Sequence, residues 1–198
     1  MAKANIFMGI ICIGVIGWSG VFDGGGVRGL ESPSQGVGRL PRLAQIQPTI
    51  DDRARNDVLR IARAEVGVRE LTGKNDGRRI AEYLAYTGVK IPAPYCARYV
   101  SWCFGKAGYS QPRTPWSPAM FPASRVVKVP EPGDLFGIYF LELKRIGHVG
   151  FVEQIRGDFL NTLEANTNVE GSREGQGVYR RMRHKRTIYK YSDWYGTE

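Results

Sequence analysis

The stretch PAPYCARYVSWCFGKAG, residues 92–108, decides how the chain folds. Proline is tolerated in the first turn of a helix and not deeper, and glycine commonly ends one. Pro92 and Pro94 on one side and Gly108 on the other therefore bracket a helix that runs through Cys96, Val100 and Cys103. This places Cys96 in the first turn, where unpaired backbone N–H groups and the positive end of the helix dipole favour a thiolate.

Upstream, Val58, Leu59, Ala62 and Val66 fall at helical spacing, which predicts a helix from about Asp52, capped by Asp51 or Asp52, to near Gly67. A short second helix follows, with Ile80, Tyr83 and Leu84 inward and Gly88 as its stop. Beyond Pro132-Gly133 the pattern turns to β-type runs at Asp134–Phe140, Gly147–Gln154, Phe159–Glu164, Gly177–Met182 and Thr187–Tyr191. Helices first and strands afterwards imply an α+β fold, with N-terminal helices packed on an antiparallel sheet of five to six strands.

Working outward, residues 23–50 are rich in Gly, Pro and Ser and read as a flexible linker, leaving 51–198 as the folded domain. A chain of 198 residues fits one domain on the usual scale of roughly 100–200 residues. Residues 1–22 have the layout of an export signal: Lys3, an apolar run from Ile6 to Trp18, then Ser19 and Gly20. The run is shorter than the roughly 20 residues of a spanning helix. The expectation is export to the periplasm or cell envelope, with 6–18 either cleaved or kept as a short anchor. Cys12 reads as one more apolar residue of that segment.

The other two cysteines, Cys96 and Cys103, lie seven positions apart on one helix, so their Cα atoms are about 10 Å apart and cannot bridge. Oxidising compartments normally consume cysteines in disulfides, so an exported chain that keeps a free thiol is expected to use it as a reagent. A nucleophilic thiolate needs a base that titrates near neutrality. Of the two histidines, His184 sits in Arg-Met-Arg-His-Lys-Arg, where neighbouring cations oppose an imidazolium. His148, in Ile-Gly-His-Val-Gly-Phe-Val, is the better base, held on a strand against a helix packed across the sheet. Glu164, at the end of the next strand, is placed to accept the proton on the other ring nitrogen. Asn166 would share Glu164's face of an extended strand, where it would orient the imidazole or hold a substrate carbonyl, or else is the turn residue after the strand. The Cys96 N–H, with a side-chain donor such as Tyr95, would form an oxyanion site.

Four blocks, Tyr95-Cys96-Ala97-Arg98-Tyr99-Val100-Ser101-Trp102-Cys103, Gly133-Asp134-Leu135, Gly147-His148-Val149-Gly150 and Glu164-Ala165-Asn166, together resemble the CHAP family of cysteine- and histidine-dependent amidohydrolase/peptidases over roughly residues 53–192. The resemblance implies a papain-like fold and hydrolysis of an amide bond of peptidoglycan, in the stem peptide or at its sugar linkage. It puts the nucleophile at Cys96, the base at His148, the acidic orienting residue at Glu164 and the amide residue at Asn166, with Gly133-Asp134 a structural turn. It also implies Tyr95 and Trp102 as substrate contacts. Many relatives have tryptophan where this chain has Tyr95, and glycine where it has Ala165. Glu65-Val-Gly-Val-Arg-Glu70, followed by Lys74-Asn75-Asp76-Gly77, is similar to a segment preceding the nucleophile in one branch, which would set Asn75 and Asp76 along the cleft; the other reading is a helix-to-helix turn.

No metal or cofactor is expected. Asp76 and scattered carboxylates fall short of the six to eight oxygens of a calcium site, and Cys96 with His148 is too few for zinc. The net charge of +9 suits an anionic envelope polymer or lipid surface as a further partner. A nucleic-acid partner is not expected, because the aromatics are not interleaved with the basic residues. A monomer acting on the peptidoglycan stem peptide is the leading reading. The alternatives are a non-catalytic envelope-binding module using the basic run Arg180–Arg186, and a papain-like protease or acyltransferase. In the first reading that run is the polar side of exposed strands, with Val178, Met182 and Ile188 turned inward.

Overall fold

The computed structural model describes residues 49–168, 170 and 175–195. Residues 1–22, expected as an export segment and containing Cys12, and residues 23–48 of the expected linker 23–50 lie outside the described residues, while Thr49 and Ile50 already belong to the first helix and its cap. Among those described, no helix is long and apolar enough to cross a membrane.

Helix α1 runs from Ile50 to Ala64. Its cap is Thr49, not Asp51 or Asp52: Thr49 Oγ1 accepts the Asp52 N–H at 3.0 Å, and the Asp52 carboxylate accepts the Thr49 N–H at 2.9 Å. This reciprocal arrangement satisfies two otherwise orphan donors. Val58, Leu59 and Ala62 are buried as the spacing predicts, but the helix stops short of Gly67 and Val66 turns out, 37% exposed. Helix α2, Arg78–Tyr86, buries Ile80, Tyr83 and Leu84, and Gly88 beyond it takes φ +79°. Helix α3, Cys96–Lys106, is buried almost throughout and ends before Gly108 at φ +93°.

Six strands follow: β1 Val126–Val127, β2 Leu135–Phe140, β3 Arg145–Arg156, β4 Phe159–Thr167, β5 Gly177–His184 and β6 Lys190–Ser192. All pairings are antiparallel, in the order β1-β6-β2-β3-β4-β5. The α+β architecture with a five- to six-stranded antiparallel sheet is thus as expected. The two-residue β1 carries no sequence pattern and was not foreseen. The last predicted strand begins later, because His184 Nδ1 accepts the Arg186 N–H at 3.1 Å and turns the chain into a short 3-10 segment first.

The helices cover one face of the sheet. Tyr99 and Phe104 of α3 pack against Phe151 of β3 with ring centroids 5.9 and 5.8 Å apart. At roughly 2–3 kcal/mol per fully buried large side chain, such contacts dominate the stability of the α3–sheet layer. The opposite face has a smaller cluster of Phe136, Val152 and Leu160. Arg55 staples α1 to the sheet, donating to Asp134 at 2.6 Å and Asp193 at 2.7 Å, so the Gly133-Asp134 turn is structural. Met182 departs from the expectation: it points outward, 64% exposed, where β5 runs past the helical layer.

Candidate active site

Cys96 is the first residue of α3, following Tyr95, whose φ of −124° is not helical and starts the helix after it. Tyr99 N–H is the first to close a helical bond, to Tyr95 O at 2.8 Å. The N–H groups of Cys96, Ala97 and Arg98 precede it and have no intrahelical acceptor, so they and the dipole favour negative charge on the sulfur. The side chain is 6% exposed. Ser117 Oγ, from the 3-10 segment Ser117–Met120, lies 3.4 Å from the sulfur. The β3 backbone at Val149 and the imidazole of His148 complete its polar surroundings.

His148 is buried in the middle of β3, and its Nε2 lies 2.8 Å from Glu164 Oε2. With Nε2 bonded to a carboxylate, the proton-exchanging nitrogen is Nδ1, which is buried and, apart from Cys96, has no partner among the described residues. Cys96 is the acid that interacts with this ring. Gly150, two residues along β3, leaves room for the β4 backbone and the Phe136 ring: a Cβ there would sit 2.7 Å from Leu163 O and 2.8 Å from that ring.

Glu164 is fully buried yet charged, because both its oxygens are saturated. Oε1 accepts from Thr162 Oγ1 and Arg183 Nε, each at 2.6 Å; Oε2 accepts from Arg183 Nη2 at 2.5 Å and faces His148. Burial pushes this carboxyl up, but the Arg183 fork and His148 outweigh it and bring it to about 2. Burial likewise opposes charge on His148, while Cys96 and Glu164 draw it up to about 9. Burial raises the Cys96 thiol, and His148, Ser117 and the Val149 backbone more than offset this, lowering it to about 7. The two titrate as a unit, favouring thiolate and imidazolium at neutral pH.

The structure thus brings together Cys96, His148 and Glu164, predicted from sequence, and adds Ser117, Thr162 and Arg183. Ser117 gave no signal beyond being a serine in a proline-rich loop. Thr162 shares Glu164's face by simple alternation along the strand, whereas Arg183 was legible only through strand pairing: Glu164 faces Tyr179 in register, so Tyr179, Arg181 and Arg183 share its face.

Other expected site residues lie elsewhere. Tyr95 is fully buried and donates its hydroxyl to Glu70 Oε1 at 3.1 Å, so its side chain supplies no oxyanion donor or substrate contact. Trp102 is six residues along α3 from the nucleophile, which turns it away by roughly 120°. It packs edge-on against Tyr83 of α2, 5.2 Å between centroids, instead of lining a cleft at Cys96. Asp76 uses its carboxylate within its own loop, accepting from Leu71 N, Thr72 N and Thr72 Oγ1, while Asn75, at φ +58°, donates its N–H to Glu70 Oε2. Both border a recess of about 320 Å³ between α2 and residues 89–92. Asn166 does not continue the alternation of Glu164: it is the extra residue of a bulge between Ala165 and Thr167, at φ +57°. His184 caps the 3-10 segment after β5, distant in role from the Cys96 pair.

Among known proteins, residues 86–166 match the family model of the CHAP domain. The search of curated proteins returned no match. Two solved structures resemble the chain: "The crystal structure of Ly7917", 20% identical with a TM-score of 0.41, and the same protein "with the hydrolyzing product of MDP", also 20% identical with a TM-score of 0.41. They cover 69% and 72% of this chain, which spans only 60% and 63% of theirs. The match to the CHAP domain model takes in Cys96, His148 and Glu164, and leaves Arg183 outside it.

Proposed function

We propose that the chain is a peptidoglycan hydrolase that cuts an amide bond through a covalent acyl-enzyme on Cys96. The observation that carries this reading is the line Cys96–His148–Glu164, a thiol at a helix N-terminus beside a buried imidazole whose far nitrogen is fixed at 2.8 Å by a carboxylate, within the stretch that matches the CHAP domain model. The Cys96 thiolate attacks the carbonyl carbon. The oxyanion forms beside the free N–H groups of the first turn of α3 and the Ser117 hydroxyl. His148 gives its Nδ1 proton to the leaving amine, and the amine departs. His148 then takes a proton from water as it attacks the thioester carbonyl, the carbon–sulfur bond breaks, and the acid product leaves Cys96 as thiolate beside imidazolium. Glu164 keeps Nε2 protonated and stabilises the imidazolium without itself taking the proton.

Peptidoglycan as substrate accords with the family, with a free thiol in an exported chain and with the positive net charge. The bond is that of an N-acetylmuramoyl-L-alanine amidase or of a peptide endopeptidase. Acid-quenched mixtures of the protein with soluble muropeptides, examined by intact-protein mass spectrometry, separate the two. A muramoyl adduct on Cys96 means amidase and a peptidyl adduct means endopeptidase. No adduct under turnover would contradict the covalent route.

A further inference from the structure

Beyond the active site, the helix-facing side of the sheet is not fully covered. Leu163 faces Arg180 in register beneath the helices, but the next pairs on that side, Asn161 with Met182 and Phe159 with His184, continue past them. Phe159 is 42% and Met182 64% exposed. Between this uncovered strip and the end of α1 lies a recess of about 490 Å³ lined by Arg63, Glu153, Gln154, Arg156, Asn161 and Arg180.

Three guanidinium groups and a single carboxylate line this recess. Glu153 is already held by Arg63 Nε at 2.7 Å and by Arg180 through Nε at 2.5 Å and Nη2 at 2.8 Å. Those bonds pull its carboxyl below the usual range against the upward push of burial. Arg156 has no carboxylate partner among the described residues; its Nε donates to the neutral Gln154 Oε1 at 3.0 Å, which also accepts Asn161 Nδ2 at 3.2 Å. The recess therefore keeps uncompensated positive charge, guanidinium N–H donors directed by fixed partners, and the Gln154 amide nitrogen and Asn161 carbonyl oxygen for hydroxyl groups.

We propose that this recess is a binding site for a phosphate group of a polyol-phosphate chain, separate from the Cys96 site. Guanidinium forks match tetrahedral oxyanions in both geometry and charge. The two amides suit the hydroxyls that flank each phosphate in such a chain, and the exposed Phe159 and Met182 give its carbon backbone an apolar rim. A lipid surface is the poorer fit, because the cations line a recess instead of projecting from a convex face.

The test is calorimetric titration of the full chain with oligo(glycerol phosphate), alongside inorganic phosphate as competitor and vesicles of phosphatidylglycerol. Arg156→Gln, which removes no ion pair with a described residue, is compared with Arg53→Gln on the exposed start of α1, and thermal melts confirm that both fold. The expected result is saturable binding of the oligomer that phosphate competes away, weakened about tenfold or more by Arg156→Gln and unaffected by Arg53→Gln. Equal weakening by both variants means diffuse charge and overturns the site. So does absence of oligomer binding. Vesicle binding that depends on Arg156, without oligomer binding, overturns the polymer in favour of lipid.

Discussion

Arg183 grips Glu164 with both prongs of its guanidinium, Nε to Oε1 at 2.6 Å and Nη2 to Oε2 at 2.5 Å, behind the imidazole that faces Cys96. The pair is nearly dry, with side-chain exposures of 12% and 0%. The fork fixes the rotation of the carboxylate, so that Oε2 is presented to His148 Nε2, and it holds Glu164 ionised in a place where burial alone would neutralise it. The orienting residue is itself oriented, by an arginine 19 positions further along the chain on the neighbouring strand.

Removing that fork leaves a buried carboxylate short of its cation. Arg183→Ala is therefore expected to lower the unfolding free energy by about 3–5 kcal/mol. Arg183→Lys, which keeps the charge but not the bidentate geometry, should lose clearly less. Urea titrations of the three forms measure both differences.

The thiol is drawn down to about 7 and the imidazole up to about 9, so the thiolate–imidazolium pair is populated between those values. The rate of Cys96 alkylation by iodoacetamide should rise with pH through about 7, well below the 9.0 of an ordinary thiol. In His148→Ala the remaining influences are led by burial, which raises the thiol, so the rise should move to higher pH.

Glu164 has a folded value depressed from 4.5 to about 2. A depressed carboxyl adds stability that is fully present above its unfolded value and lost as pH falls through the folded one. The wild type should lose stability between about pH 4.5 and 2, and Glu164→Gln, less stable at neutral pH, should lose less over that interval. Denaturant midpoints across the range decide it.

Ser117 lies 3.4 Å from the sulfur and helps to lower its pKa. A hydrogen bond to a charged group contributes roughly 1.5–3 kcal/mol, so Ser117→Ala should cut kcat/KM by about tenfold or more. It should also shift the alkylation profile upward, which a loss of packing alone would not do.

Much of this was legible in the sequence where local chemistry is strong. Two prolines and a glycine fix the ends of α3 and with them the position of Cys96, and only two histidines competed to be its partner. What escaped was set by pairing between strands. Extra residues at Gly147, Glu153 and Asn166 shift the register, which simple alternation cannot anticipate, and this is why Asn166 does not share Glu164's face. The cations of Arg180–Arg186 read as the polar side of exposed strands, yet one of them is buried on Glu164 and another, Arg180, grips Glu153. Tyr95 and Trp102 adjoin the nucleophile in sequence, but the helix turns one into the core and the other toward α2.

The most direct test of the central claim is the release of soluble fragments from purified peptidoglycan by the full chain and by Cys96→Ala, identified by mass spectrometry. The account predicts new amine and carboxyl termini at one kind of amide bond with the wild type, and a loss of about a thousandfold or more in the variant. Equal release by both would contradict Cys96 as the nucleophile, and no release by the folded wild type would contradict peptidoglycan as the substrate.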